Sequence, residues 1–153
     1  MAQSRASRMK LVLTLAERQE KDAAAKVEEY RNLLLQEQQQ LQQLNDYSQQ
    51  YLQNYSARTP ALAVHERINY SGFIQRLSTL IGEQESKVQR LTRLHEQSLT
   101  SWREKYLRRQ SISQLIERLQ QEENAQLDKR LQTELDELSS QQFNRRQRDD
   151  DAL

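Results

Sequence analysis

Apolar residues recur every three or four positions through the first third of this chain. Ten of the thirteen heptad a and d slots from Leu13 to Tyr55 are apolar, and a second ladder runs from Ile74 to Leu119. Spacing of this kind, kept over so many turns, predicts two long helices that each carry one narrow apolar seam. A chain built this way forms a rod without a pocket, which points to a stalk or binding protein.

The composition favours the same architecture. The 153 residues are 35% hydrophobic and include only two glycines and one proline, and the mean hydropathy is -1.03. Glycine and proline are the residues that favour turns, and so few of them exclude a fold of many strands. The low apolar content likewise excludes a thick core. We therefore predict an all-α fold, in which two long helices form an antiparallel coiled coil with a short connecting helix at the turn.

Breaks in the pattern divide the predicted single domain into segments. We expect helix one at about 9–55, a connector at 56–70, helix two at about 71–138 and a polar tail at 139–153. Pro60 marks the break, with Thr59 as a candidate N-cap and residues 61–68 as the short connecting helix. On this alignment helix two extends beyond helix one past about residue 112. That extension still carries apolar residues, which invite a partner from another molecule.

Charge and residue types exclude several kinds of chemistry. The formal charge is +1 and cysteine is absent, so we expect no nucleic-acid partner, disulfide or thiolate-metal site. His65 and His95 are too far apart to form a ligand pair, and no nucleophile, acid–base pair or phosphate loop is recognisable. We expect neither an enzyme nor a cofactor, and no membrane-inserted segment, in a cytoplasmic protein.

Two surfaces are candidates for partner binding. Aromatic residues concentrate near the turn, where Tyr47, Tyr51 and Phe73 lie at helical spacing. Exposed rings of this kind anchor interfaces, although a connecting helix that folds back over them is an equal alternative. A basic patch of Arg103, Lys105, Arg108 and Arg109 is a possible contact for an acidic partner or an ATPase, beside the simpler interpretation of a solvated helix face.

Three segments resemble one known family. They are NYSGFIQRLSTLI (residues 69–81), SWREK (residues 101–105) and LNDYSQQY (residues 44–51). In this order and spacing they are similar to the FliJ family of bacterial flagellar type III export proteins. The length and the two-helix plan agree with that family over essentially the whole chain.

The resemblance implies a stalk-like coiled coil and a set of partners. These are the hexameric flagellar export ATPase, the cytoplasmic part of the export gate membrane protein, and export chaperones. The protein would lie at the cytoplasmic face of the inner membrane through the export apparatus. By resemblance, the gate-binding surface comprises Gln40, Leu44, Tyr47, Tyr51, Phe73, Leu77, Leu80 and Gln84. The far end, near residues 10–25 and 100–120, would face the ATPase ring.

Two functional hypotheses follow. In the first, the chain is a stalk that couples the export ATPase ring to the export gate and escorts export chaperones. In the second, it is a general coiled-coil scaffold, or a chaperone for exported subunits, without ATPase coupling. A related stalk from a virulence-type secretion system is a third possibility, disfavoured only by the quoted motifs.

Overall fold

Two long helices make up nearly all of the protein. The computed structural model describes residues 4–152, in which α1 spans Arg5–Arg58 and α2 spans Val64–Asp151. A single 3-10 turn at Thr59–Ala61 separates them, and residues 4–152 contain no strand. The helices pack against each other as an antiparallel hairpin, which confirms the predicted fold.

Both helices are longer than the sequence pattern predicted. Helix α1 begins at Arg5 and not near residue 9, because Ser4 caps it: the backbone N–H of Ser7 donates to the Ser4 hydroxyl at 3.1 Å. The predicted polar tail, 139–153, is helical as far as Asp151. Its residues include no glycine or proline, so nothing in the backbone chemistry ends the helix earlier.

The turn is tighter than expected. Only residues 59–63 separate the helices, whereas a connector of 56–70 was predicted, and residues 64–68 form the first turn of α2 and not part of a separate helix. The prediction that Thr59 is an N-cap is wrong, because the 3-10 turn has no side-chain cap and Thr59 is its first residue. The Thr59 hydroxyl instead donates back to the carbonyl oxygen of Tyr55 at 2.5 Å.

Contacts within the chain cluster in two compact units. We call residues 18–106 the turn unit, and residues 1–17 together with 107–153 the terminal unit. In the turn unit the most buried side chains are Leu77, Leu91 and Ser98. The single domain proposed from the sequence stays a prediction.

The terminal unit has a core of small and aliphatic residues. Ala6, Ala16, Ile116 and Leu119 are buried there. The backbone N–H of Ala6 donates to the Glu123 carboxylate at 3.3 Å, so the start of α1 lies beside Glu123. The extension of α2 beyond α1 therefore begins near residue 124 and not near residue 112.

Candidate partner-binding surface

Five aromatic rings form a continuous cluster in the turn unit. The rings of Tyr51 and Phe73 are closest, with centroids 4.4 Å apart, and Tyr47 meets the edge of Phe73 at 6.3 Å. Tyr70 extends the cluster towards the turn, since its centroid lies 5.0 Å from Tyr51 and 5.2 Å from Tyr55. Because offset and edge-on ring pairs of this kind are favourable, the cluster fixes α1 against α2 near the turn.

The cluster is open on one side. Tyr47 is 48% exposed and Leu80 is 52% exposed, whereas Phe73 and Tyr51 are half-buried. Two shallow depressions of about 290 Å³ each flank the rings. One is lined by Gln40, Gln43, Leu44 and Tyr47, and the other by Phe73, Arg76, Leu77 and Leu80. The open side thus offers apolar and aromatic surface beside amide groups.

Tyr51 is half-buried at the centre of the cluster. Removal of its hydroxyl from water raises the pKa of Tyr51, and the neighbouring Tyr70 and Tyr47 raise it further. The central ring of the cluster therefore holds its hydroxyl proton more tightly than an ordinary tyrosine does.

A polar contact between the helices lies farther along the turn unit. The Gln84 amide donates to the Glu37 carboxylate at 2.6 Å and to the Glu37 carbonyl oxygen at 3.1 Å. Lys87 completes the arrangement with an ion pair to the same carboxylate at 3.0 Å. The hydrogen bond from Gln84 is the largest cause that holds the pKa of Glu37 below its usual value, and the hydrogen bond from Lys87 is the next largest.

The eight residues suggested for gate binding fall into two groups. Gln40, Tyr47 and Leu80 are exposed, and Leu44, Tyr51 and Phe73 are half-buried beside them. Leu77 is only 5% exposed and belongs to the core, while the Gln84 amide is engaged by Glu37. The accessible surface therefore centres on Tyr47 and Leu80, and its role in binding stays a prediction.

The four basic residues differ in exposure. In the turn unit Arg103 is exposed and Lys105 is half-buried; in the terminal unit Arg108 is exposed and Arg109 is half-buried. No observation on the described residues connects them with a ligand, so their contact with a partner stays a prediction.

Several residues of the site were not predicted from the sequence. Tyr55 and Tyr70 belong to the ring cluster, yet neither is among the residues suggested for gate binding. Glu37 and Lys87 were missed, although a glutamate and a glutamine in facing heptad slots were a usable signal of a polar layer.

Residues 4–152 hold neither a metal-binding cluster nor a membrane-spanning helix. No group of three histidine, cysteine or acidic residues is placed to hold a metal ion. None of the helices has a stretch long and apolar enough to cross a lipid bilayer.

A long antiparallel helical hairpin places the chain in the class of coiled-coil proteins. Comparison with known proteins identifies the family. The family model described as "Flagellar FliJ protein" matches residues 5–148. The chain therefore belongs to the flagellar FliJ family, and is a component of flagellar protein export.

Two curated relatives carry the same description. The flagellar FliJ protein of Escherichia coli K12 is 36% identical over 105 residues, which are 68% of this chain and 71% of the relative. The flagellar FliJ protein of Salmonella typhi is 34% identical with the same coverage. No solved structure matches the chain.

Proposed function

We propose that this chain couples the hexameric flagellar export ATPase to the export gate. In this proposal the open side of the aromatic cluster docks on the cytoplasmic part of the gate membrane protein. The chain also acts on the ATPase and escorts export chaperones. It would then be held at the cytoplasmic face of the inner membrane by its partners.

The exposure of Tyr47 and Leu80 beside a fixed ring cluster carries the gate-binding part of the proposal. The contacts among Tyr47, Tyr51 and Phe73 hold the rings in place before any partner arrives. A pre-ordered aromatic surface loses little conformational entropy on binding, and it presents a residue type enriched among binding hot spots. The rings already pack α1 against α2, so the part that the proposal assigns to the gate is the half of Tyr47 and of Leu80 that stays exposed.

Gate binding can be tested with matched alanine variants. Tyr47→Ala and Leu80→Ala remove exposed side chains, so the helices should persist while binding to the purified cytoplasmic part of the gate and swimming motility are lost. Leu52→Ala and Leu99→Ala are the controls, since these leucines are 43% and 37% exposed in the same unit but lie on other helix faces. If the first pair bound the gate as well as the controls did, the assigned surface would be wrong.

ATPase coupling needs its own experiment. We expect the chain, added in stoichiometric amount, to stimulate hydrolysis by the cognate export ATPase and to promote assembly of its ring. An unchanged rate with gate binding retained would remove the coupling role and leave an escort or scaffold.

The alternative function is a scaffold or chaperone for exported subunits without ATPase coupling. The observation that favours it is the row of exposed leucines beyond residue 124. Truncation after residue 125 removes that row and retains Glu123, which contacts Ala6. Loss of subunit binding with ATPase stimulation intact would favour the alternative over the coupling role.

A further inference from the structure

The last part of α2 has no partner helix in the described chain. We call residues 124–152 the C-terminal segment. The N-terminus of α1 lies level with Glu123, because Ala6 contacts that residue. Every residue of the C-terminal segment is exposed, although the segment is helical as far as Asp151. A solvated helix of this length normally has a polar surface on all sides.

Four leucines depart from that expectation. They are Leu127, Leu131, Leu135 and Leu138, which are between 54% and 63% exposed. Their spacing of four, four and three residues places all four on one face of the helix. We call this row the leucine ladder. It is one side of a coiled-coil seam that lacks the partner helix.

We propose that the leucine ladder pairs with the leucine ladder of a second copy of this chain, in antiparallel orientation about a two-fold axis. The spacing of the ladder is nearly the same when it is read in reverse. A two-fold axis between Leu131 and Leu135 therefore sets Leu127 against Leu138 of the second copy, and Leu131 against Leu135. Each leucine meets a leucine, which is the self-complementarity that a closed two-fold interface requires.

Charged residues beside the ladder fix its orientation. Arg130, Glu134 and Glu137 follow i, i+4, i+7 spacing along one edge of the ladder. Antiparallel pairing brings Arg130 of one copy alongside Glu134 and Glu137 of the other. Parallel pairing about a two-fold axis along the helices sets opposite edges of the two ladders against each other, so Arg130 would face neither Glu134 nor Glu137 of the second copy. The complementarity of Arg130 with the two glutamates therefore favours the antiparallel dimer and supports a second copy as the occupant.

The interface is small, which limits the affinity of the dimer. Four leucine layers bury less than the roughly 1,200 Å² at which stable complexes begin, so we expect a dissociation constant of ~10–100 µM. The dimer would form where the chain is concentrated and dissociate on dilution.

Sedimentation of the full chain over a concentration series that brackets this range tests the pairing. The wild-type protein should pass from monomer to dimer. Leu131→Gln with Leu135→Gln should stay monomeric, with unchanged helical content because both side chains are exposed. The matched control is Leu33→Gln with Leu35→Gln, which alters two exposed leucines of α1 and should dimerise like the wild type.

Charge reversal tests the orientation. Arg130→Glu should weaken dimerisation at least about tenfold, because the new carboxylate faces two glutamates of the second copy. Combining it with Glu134→Arg and Glu137→Arg in one chain should restore the wild-type dissociation constant. In a parallel dimer Arg130→Glu would cause no such weakening, since residue 130 would not face the two glutamates of the second copy.

Three results would overturn the proposal. The first is a wild-type chain that stays monomeric throughout the series, which would leave the ladder to a different protein. The second is a dimer that forms equally well in Leu131→Gln with Leu135→Gln. The third is an Arg130→Glu variant with unweakened dimerisation.

Discussion

The side-chain amide of Gln84 donates two hydrogen bonds to Glu37 across the helix pair. One reaches the carboxylate at 2.6 Å and the other reaches the backbone carbonyl oxygen at 3.1 Å. Lys87 adds its ion pair at 3.0 Å. A shift of one helix along the other would leave the half-buried Glu37 carboxylate without these donors, so this polar layer opposes other registers of the pair.

Acid should weaken the hairpin through Glu37. Because the folded-state pKa of Glu37 lies below its usual value of 4.5, the ionised group contributes stability above about pH 4.5, and this contribution is lost as the pH falls through the folded-state pKa. We expect the Tm of the wild-type protein to exceed that of Glu37→Gln at neutral pH. The difference should shrink below pH 4.5.

The measurement is thermal unfolding, followed by circular dichroism at several pH values. Glu83→Gln is the control, since Glu83 is exposed on α2, and its Tm should track the wild-type Tm at every pH. A difference between wild type and Glu37→Gln that does not change with pH would contradict the assigned role of the carboxylate.

Two leucines three residues apart on α2 should differ sharply in their effect on stability. Leu77 is 5% exposed and Leu80 is 52% exposed. We expect Leu77→Ala to lower the free energy of unfolding by about 2–3 kcal/mol, the low end for buried leucines, because two helices can relax around the cavity. Leu80→Ala should change it by less than about 0.5 kcal/mol. Urea unfolding of the two variants checks this, and equal losses would contradict the burial pattern.

Periodicity predicted the seam but not the helix ends. The buried Leu77, Leu91, Ile116 and Leu119 all lie in slots of the predicted ladders, because a 3-to-4 repeat fixes which face packs. The start of α1 depended instead on one local hydrogen bond, from Ser7 to Ser4. Residues 139–151 of α2 carry no leucine ladder, so only backbone propensity could have predicted that they are helical.

The candidate surface was predictable in its position but not in its exposure. The spacing of Tyr47, Tyr51 and Phe73 placed them near the turn, and the structure joins their rings. Whether a connecting helix covered the rings depended on the geometry of the turn. Because the connector is one 3-10 turn, Tyr47 stays open. The Gln84 amide contact needed the pairing of both helices, which no single-helix pattern contains.

Tyr51 should titrate at a higher pH than an ordinary tyrosine. Burial raises its pKa above the usual 10.0, so phenolate absorbance should show a late component that Tyr51→Phe removes. The raised pKa also affects stability. Because the folded protein favours the protonated phenol, the contribution of Tyr51 to the free energy of unfolding is fully present below pH 10.0 and is lost as the pH rises through the folded-state pKa. Tyr30→Phe is the control, since Tyr30 makes none of the ring contacts of the cluster, and loss of the late component in that variant would contradict its assignment to Tyr51.

Replacing Gly82 by alanine should stabilise the turn unit. Gly82 lies inside α2, has no positive φ, and a Cβ atom added there meets nothing within 4 Å. Glycine in a helix costs about 0.5–1 kcal/mol relative to alanine, because the unfolded chain loses more backbone freedom. We expect Gly82→Ala to raise the free energy of unfolding in urea by about that amount. Gly82→Pro should instead lower it by about 3 kcal/mol through the lost hydrogen bond and the ring clash. An unchanged or lower stability for Gly82→Ala would mean that the flexibility of this position is used by the folded protein.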